Sequence, residues 1–169
     1  MSAQSIFFTS VAFSFIVWGI VASRYIWPKL RSLDRNEALR PILMLHSFRF
    51  FGLVFLVPGI VSPELPASFA HPTAYGDFIA AILALLALFT LSSGAGSIAT
   101  WIFNLWGTAD LLNAFYQGNQ AGLHAGQLGA TYIIPTIVVP LLLITHALTF
   151  RILLQRRSEY VIGEKQQLA

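Results

Sequence analysis

Five long apolar runs separated by polar connectors organise this chain, covering about residues 5–27, 41–62, 75–92, 98–116 and 128–150. Each is close to the roughly twenty residues that carry an α-helix across a hydrocarbon core. A backbone in lipid must satisfy its hydrogen bonds within the segment, so runs of this kind are read as helices. The pattern predicts an all-α integral membrane bundle of five transmembrane helices. They form one domain over residues 1–157, with residues 158–169 as a flexible cytoplasmic tail. The third run is the most apolar (Ile79 to Leu88). The fourth is the most polar, with Asn104, Thr108, Asp110 and Asn113. Pro41 is expected to open the second helix, where its missing N–H is harmless. Residues 63–72 are expected to form a loop, and residues 92–97 a tight hairpin. Pro135 and Pro140 are expected to kink the fifth helix.

Charge orients the bundle. The connector 28–40 holds four of the ten Lys and Arg residues, and the segment from Arg151 onward holds four more. The loops 63–72 and 117–127 hold none. Five alternating spans place the two basic regions on one side. Positively charged loops stay cytoplasmic, so the N-terminus is expected outside and the C-terminus in the cytoplasm. Only Met1 to Gln4 precede the first run and none is basic, so that run reads as a retained span rather than a signal peptide.

Composition agrees. Charged residues make up 10% of the chain and the mean hydropathy is +0.71, whereas soluble domains carry about 25% charged residues. The absence of cysteine excludes disulfides, thiolate metal sites, iron–sulfur clusters and cysteine nucleophiles. The net charge of +3 sits beside the apolar runs, which points to lipid and not to nucleic acid. The expected location is the cell membrane, the inner membrane if the source is a bacterium. The expected partners are the bilayer and, because five helices enclose little volume, a second copy or a membrane complex.

Chemistry is confined to polar residues inside the runs, where they are costly and turn inward by default. His46, Arg49, Asn104, Asp110 and His146 are the candidate ligand-binding residues. At 1.5 Å per residue, His46, Asn104 and His146 lie at matched depths, about 7–10 Å from the cytoplasmic end. Arg49 follows His46 at i, i+3 and shares its face. The leading expectation is a non-enzymatic membrane protein whose polar cluster binds or passes a small polar or anionic species, or which serves as a subunit of a complex. The alternative is a bis-histidine haem b or quinone-linked electron carrier, with His46 and His146 as axial ligands. Structural readings stand beside both: each histidine makes one interhelical hydrogen bond to Ser47, Asn104 or Thr145, and Arg49 pairs with Asp110. In the fourth run, Phe103, Gly107, Asp110, Asn113 or Ala114, and Gln117 recur at helical steps. That stripe suits a vestibule or a packing seam. Glu64, His71, Asp77 and His124 are scattered oxygen and nitrogen donors without metal-ligand spacing.

Arg49-Phe50-Phe51-Gly52 through Phe55, Pro58-Gly59, Pro66 and residues 80–91 resemble the start of the small four-span DoxX-like membrane proteins. The resemblance implies a compact helical bundle with a redox-linked role. Five apolar runs depart from the four of that family.

Overall fold

The computed structural model describes residues 2–155; the tail expected at 158–169 lies outside them. Among the described residues the architecture is entirely helical. Five long helices follow in order: α1 (Ala3–Leu30), α2 (Arg35–Leu56), α3 (Ala67–Thr90), α4 (Gly96–Gln120) and α5 (Ile134–Leu154). By length and composition α1, α2, α3 and α5 are able to cross a membrane. Helix α4 is as long, at 25 residues, and packs between α3 and α5. Its polar residues are what separate it from the other four.

Two helices begin earlier than the apolar runs suggest. Helix α2 starts at Arg35, so Pro41 lies inside it and does not open it. The charged turn is helical because Ala38 and Leu39 already face the core, while Glu37 and Arg40 pair at 3.3 Å on the outside. Helix α3 starts at Ala67, which shortens the expected loop and places Pro72 within the helix. Phe69, Ala70, Thr73 and Ala74 are buried on that added stretch. Burial of one face extends each helix past the uniformly apolar stretch.

Proline also shapes the helix interiors. A π-turn at Ala22–Ile26 precedes Pro28, and a second at Ile134–Val138 precedes Pro140. A proline cannot donate to the carbonyl one turn back, and the wider turn absorbs the broken ladder. Pro140 thus distorts α5 as expected, whereas Pro135 lies in its first turn, where no N–H is needed.

The second half of α2 departs most from regular geometry. Phe48–Leu56 is a nine-residue 3-10 helix, although such runs rarely exceed three or four residues. At three residues per turn, positions 49, 52 and 55 eclipse one another. Arg49, Gly52 and Phe55 are the buried residues of this segment, while Phe48, Phe50 and Phe51 face outward.

The two basic segments meet at one end of the bundle. Arg35 Nη2 donates to the Leu153 carbonyl at 3.2 Å, and the Arg151 guanidinium lies 3.9 Å above the Trp27 ring. At the opposite end, the loop after α2 joins a 3-10 segment, Ala125–Tyr132. Ser62 N–H donates to the Gln127 carbonyl at 3.1 Å and Ala130 N–H to that of Ile60 at 3.0 Å. Gly129, at φ +53°, permits this junction: a side chain there would stand 2.5 Å from the Ile60 oxygen.

Packing divides the interior into three layers. At the basic end, Leu39, Ile42, Leu43, Ala84, Phe103 and Ile152 belong to one apolar cluster. At the far end, Phe55, Phe69, Ala74, Leu111, Leu128 and Leu142 belong to another. Chain order on α2, α4 and α5 places a buried polar layer between them.

Candidate functional site

Arg49 is the centre of that layer. Its Nε donates to Asp77 Oδ1 at 2.8 Å and its Nη2 to Asp110 Oδ2 at 2.7 Å. The Arg49 side chain is 1% exposed and the carboxylates are 8% and 9% exposed. Nη1 donates to the Gly107 carbonyl at 3.2 Å and faces His146 Nε2 at 3.3 Å. The fork of one guanidinium therefore joins α2 to α3, α4 and α5. A buried charge needs this degree of satisfaction, because stripping an ion of water costs several kcal/mol unless partners replace it.

Three glycines make the room. A methyl group on Gly52 would collide with the Asp77 carboxylate, and one on Gly76 with that of Asp110. On Gly107 it would lie 2.6 Å from His146 Cε1 and 2.7 Å from Arg49 Nη1. Each charged group thus occupies the space that a side chain would fill on the facing helix.

The histidines extend the network toward the basic end. Arg49 has no acceptor, so His146 Nε2 accepts and Nδ1 carries the proton; Nδ1 meets Asn104 Oδ1 at 2.7 Å. Asn104 Nδ2 returns a long bond to the His146 carbonyl at 3.4 Å. His46 Nε2 meets Thr145 Oγ1 at 2.9 Å. The threonine hydroxyl points at the carbonyls of Leu141 and Leu142, so it accepts from His46. Nδ1 of His46 is then a buried nitrogen with no partner.

This geometry does not fit a haem. The His46 and His146 rings lie 4.2 Å apart, centroid to centroid, tilted by 54°. A bis-histidine iron needs the two nitrogens opposed across a porphyrin plane. Rings in direct contact leave no gap for that plane, and both Nε2 atoms face protein groups. In place of axial ligation, His46 makes one interhelical hydrogen bond, to Thr145, and His146 makes two, to Asn104 and Arg49. Ser47, a third partner considered from the sequence, instead donates to the Met44 carbonyl.

Of the residues singled out from the sequence, Arg49, Asn104, Asp110 and His146 form one hydrogen-bonded network, and His46 meets it through ring contact with His146 at 4.2 Å. Arg49 pairs with Asp110 as expected. Asp77, which the sequence puts at the outer start of the third run where helix packing can bring it to Asp110, supplies the second carboxylate. Among the described residues, Glu64, His71, Asp77 and His124 form no metal-binding group. The signal for Asp77 was present in α2: His46, Arg49, Gly52 and Phe55 recur every three residues. That period places a glycine one turn beyond the arginine, open to a side chain from a neighbouring helix.

On the side away from the histidines the cluster borders a cavity of about 420 Å³. Asp77, Asp110 and Thr73 lie at its buried depth, and Phe7, Phe55, Phe69 and Phe115 contribute aromatic surface. Gln4, Asn119 and His124 stand exposed at its rim, at the end remote from the basic segments. On α4 the stripe read from the sequence has both roles: Asp110 and Ala114 line the cavity, while Gly107 is a packing position.

Residues 6–154 match the family model described as Domain of unknown function (DUF8737), and the chain belongs to that family. No curated protein and no solved structure matches it significantly.

Proposed function

We propose that this protein is a small polytopic membrane protein that binds an amphipathic small molecule, with all five helices spanning the bilayer. The N-terminus faces outside, and the basic connector and the end of α5 face the cytoplasm. The observation that carries the reading is the cavity of about 420 Å³, aromatic at its sides and ending on Asp77 and Asp110. Sites for small ligands have this form: mostly apolar walls with a few convergent polar groups that fix orientation.

Two features favour binding over passage. Beyond the histidines the described interior closes on the apolar cluster around Leu39, Leu43 and Phe103, and the buried hydroxyls of Thr100 and Thr149 on that side are bonded to their own helix backbones. Arg49 is also engaged by two carboxylates, which leaves it no free charge to capture an anion. The anionic species expected from the sequence is for that reason replaced by a ligand that meets the carboxylate side.

The test is native mass spectrometry of protein extracted from its own membranes. The wild type should carry an extra small-molecule mass. Ala114→Trp, which fills the cavity from its α4 wall, should lose it. Identical spectra for the two proteins would remove the reading.

A further inference from the structure

The identity of the cavity's ligand can be narrowed by counting charge. Arg49 supplies one positive charge against two carboxylates, so the cluster carries one negative charge in excess unless it holds a proton. Arg49 engages one oxygen of each acid, Oδ1 of Asp77 and Oδ2 of Asp110. The second oxygen of each lies outside these ion pairs. Both acids line the cavity.

A separate observation marks the same place as a binding position. Thr73 Oγ1 is buried with no hydrogen-bond partner, on a residue that is 8% exposed and lines the cavity. Leaving a buried hydroxyl unpaired costs about 1–3 kcal/mol. Thr73 and Asp77 lie at i, i+4 on α3, which puts the hydroxyl and the carboxylate on one helix face. Around them, phenylalanine rings come from four elements: Phe7 on α1, Phe55 on α2, Phe69 on α3 and Phe115 on α4. Aromatic faces attract a cation, most strongly where water is excluded.

We propose that the cavity binds a lipophilic organic cation, its ammonium head at Asp77, Asp110 and Thr73 and its apolar body among the phenylalanines. This rests on the reading of the cavity as a ligand site and adds the charge of the ligand. A hydrophobic body alone would be retained by the aromatic walls. The positive head offsets the excess charge of a cluster already built around Arg49, and an N–H head donates to Thr73 as well.

The experiment uses the full chain in lipid nanodiscs and three probes with one phenylbutyl body. One ends in a primary ammonium, one in its neutral methyl isostere and one in sulfonate. Binding is measured by isothermal titration calorimetry. The cation should bind roughly tenfold or more tighter than the neutral isostere, as expected for a partly desolvated charge pair, and the sulfonate should bind weakest. Asp110→Asn should remove the preference for the cation and leave the neutral probe unchanged. Ala114→Trp should weaken all three.

Equal affinity for cation and neutral probe, both lost in Ala114→Trp, would overturn the charge assignment while the cavity remains a ligand site. Preference for the sulfonate would overturn it too, by showing that Arg49 faces the ligand. Failure of every probe to bind would overturn both the charge and the site. The wild-type comparison decides the question even if Asp110→Asn does not fold.

Discussion

Arg49 is held by two acids, a carbonyl and an imidazole, so its removal has a defined consequence. Arg49→Met leaves two buried carboxylates facing each other without a cation. It is expected to destabilise the protein by about 3–5 kcal/mol, the usual result of breaking a buried pair from one side. Adding Asp77→Asn and Asp110→Asn to Arg49→Met should recover much of that loss, because the remaining groups are neutral. Thermal unfolding in detergent reads both steps; a triple variant no more stable than Arg49→Met would show that the charges are not what couples the helices. The glycines give a second measurement at this scale. Gly52→Ala and Gly107→Ala push a methyl into Asp77 and into His146 with Arg49, and each should cost about 1–3 kcal/mol. Gly19→Ala, with nothing within 4 Å, should be neutral or slightly stabilising in the same assay.

Helices and loops differ in how far the sequence discloses them. Apolar runs locate all five helices, because length and hydropathy are properties of consecutive residues. Their starts are less visible: at Arg35 and Ala67 a helix continues through charged residues or proline, and only the burial of Leu39 or Phe69 by a neighbour explains it. The 3-10 geometry of Phe48–Leu56 is harder still to read, since its apolar residues satisfy any helical period. Only the recurrence of His46, Arg49, Gly52 and Phe55 at every third position gives it away. The site shows the same division: Arg49 with Asp110 follows from economy of buried charge, whereas Asp77 required knowing where α3 begins. Gly129 tests the junction of loops above the cavity. Gly129→Ala forces a side chain into a positive φ and toward the Ile60 oxygen, at an expected cost of about 1–3 kcal/mol. Gly126→Ala, in the same 3-10 segment with nothing within 4 Å of the added methyl, should leave the unfolding temperature unchanged. Equal behaviour of the two variants would mean that the junction contributes nothing to stability.

For the molecule as a whole, the proposed placement of five helices across a bilayer can be tested directly. The chain has no cysteine, so single cysteines can be introduced without background. Ser32→Cys and Ser93→Cys lie at the basic end, and Ser68→Cys and Gln120→Cys at the other, all at exposed positions. A membrane-impermeant maleimide should label the second pair in intact cells and the first pair only after permeabilisation. Labelling of Ser93→Cys and Gln120→Cys from the same side would show that α4 does not cross. The assembly is also unevenly anchored. No residue of Ala3–Val21 is buried, yet Phe7 and Phe8 from this stretch form part of the cavity wall. It rests mainly on α5, with Trp18 Nε1 donating to the Ile137 carbonyl at 3.1 Å. Acyl chains are as apolar as the side chains they would replace, so sliding this helix aside exchanges one set of dispersion contacts for another at little net expense. On the proposed placement in the bilayer, the easiest doorway to Asp110 opens sideways, into the leaflet, and the fluidity of the surrounding lipid sets how often it stands ajar.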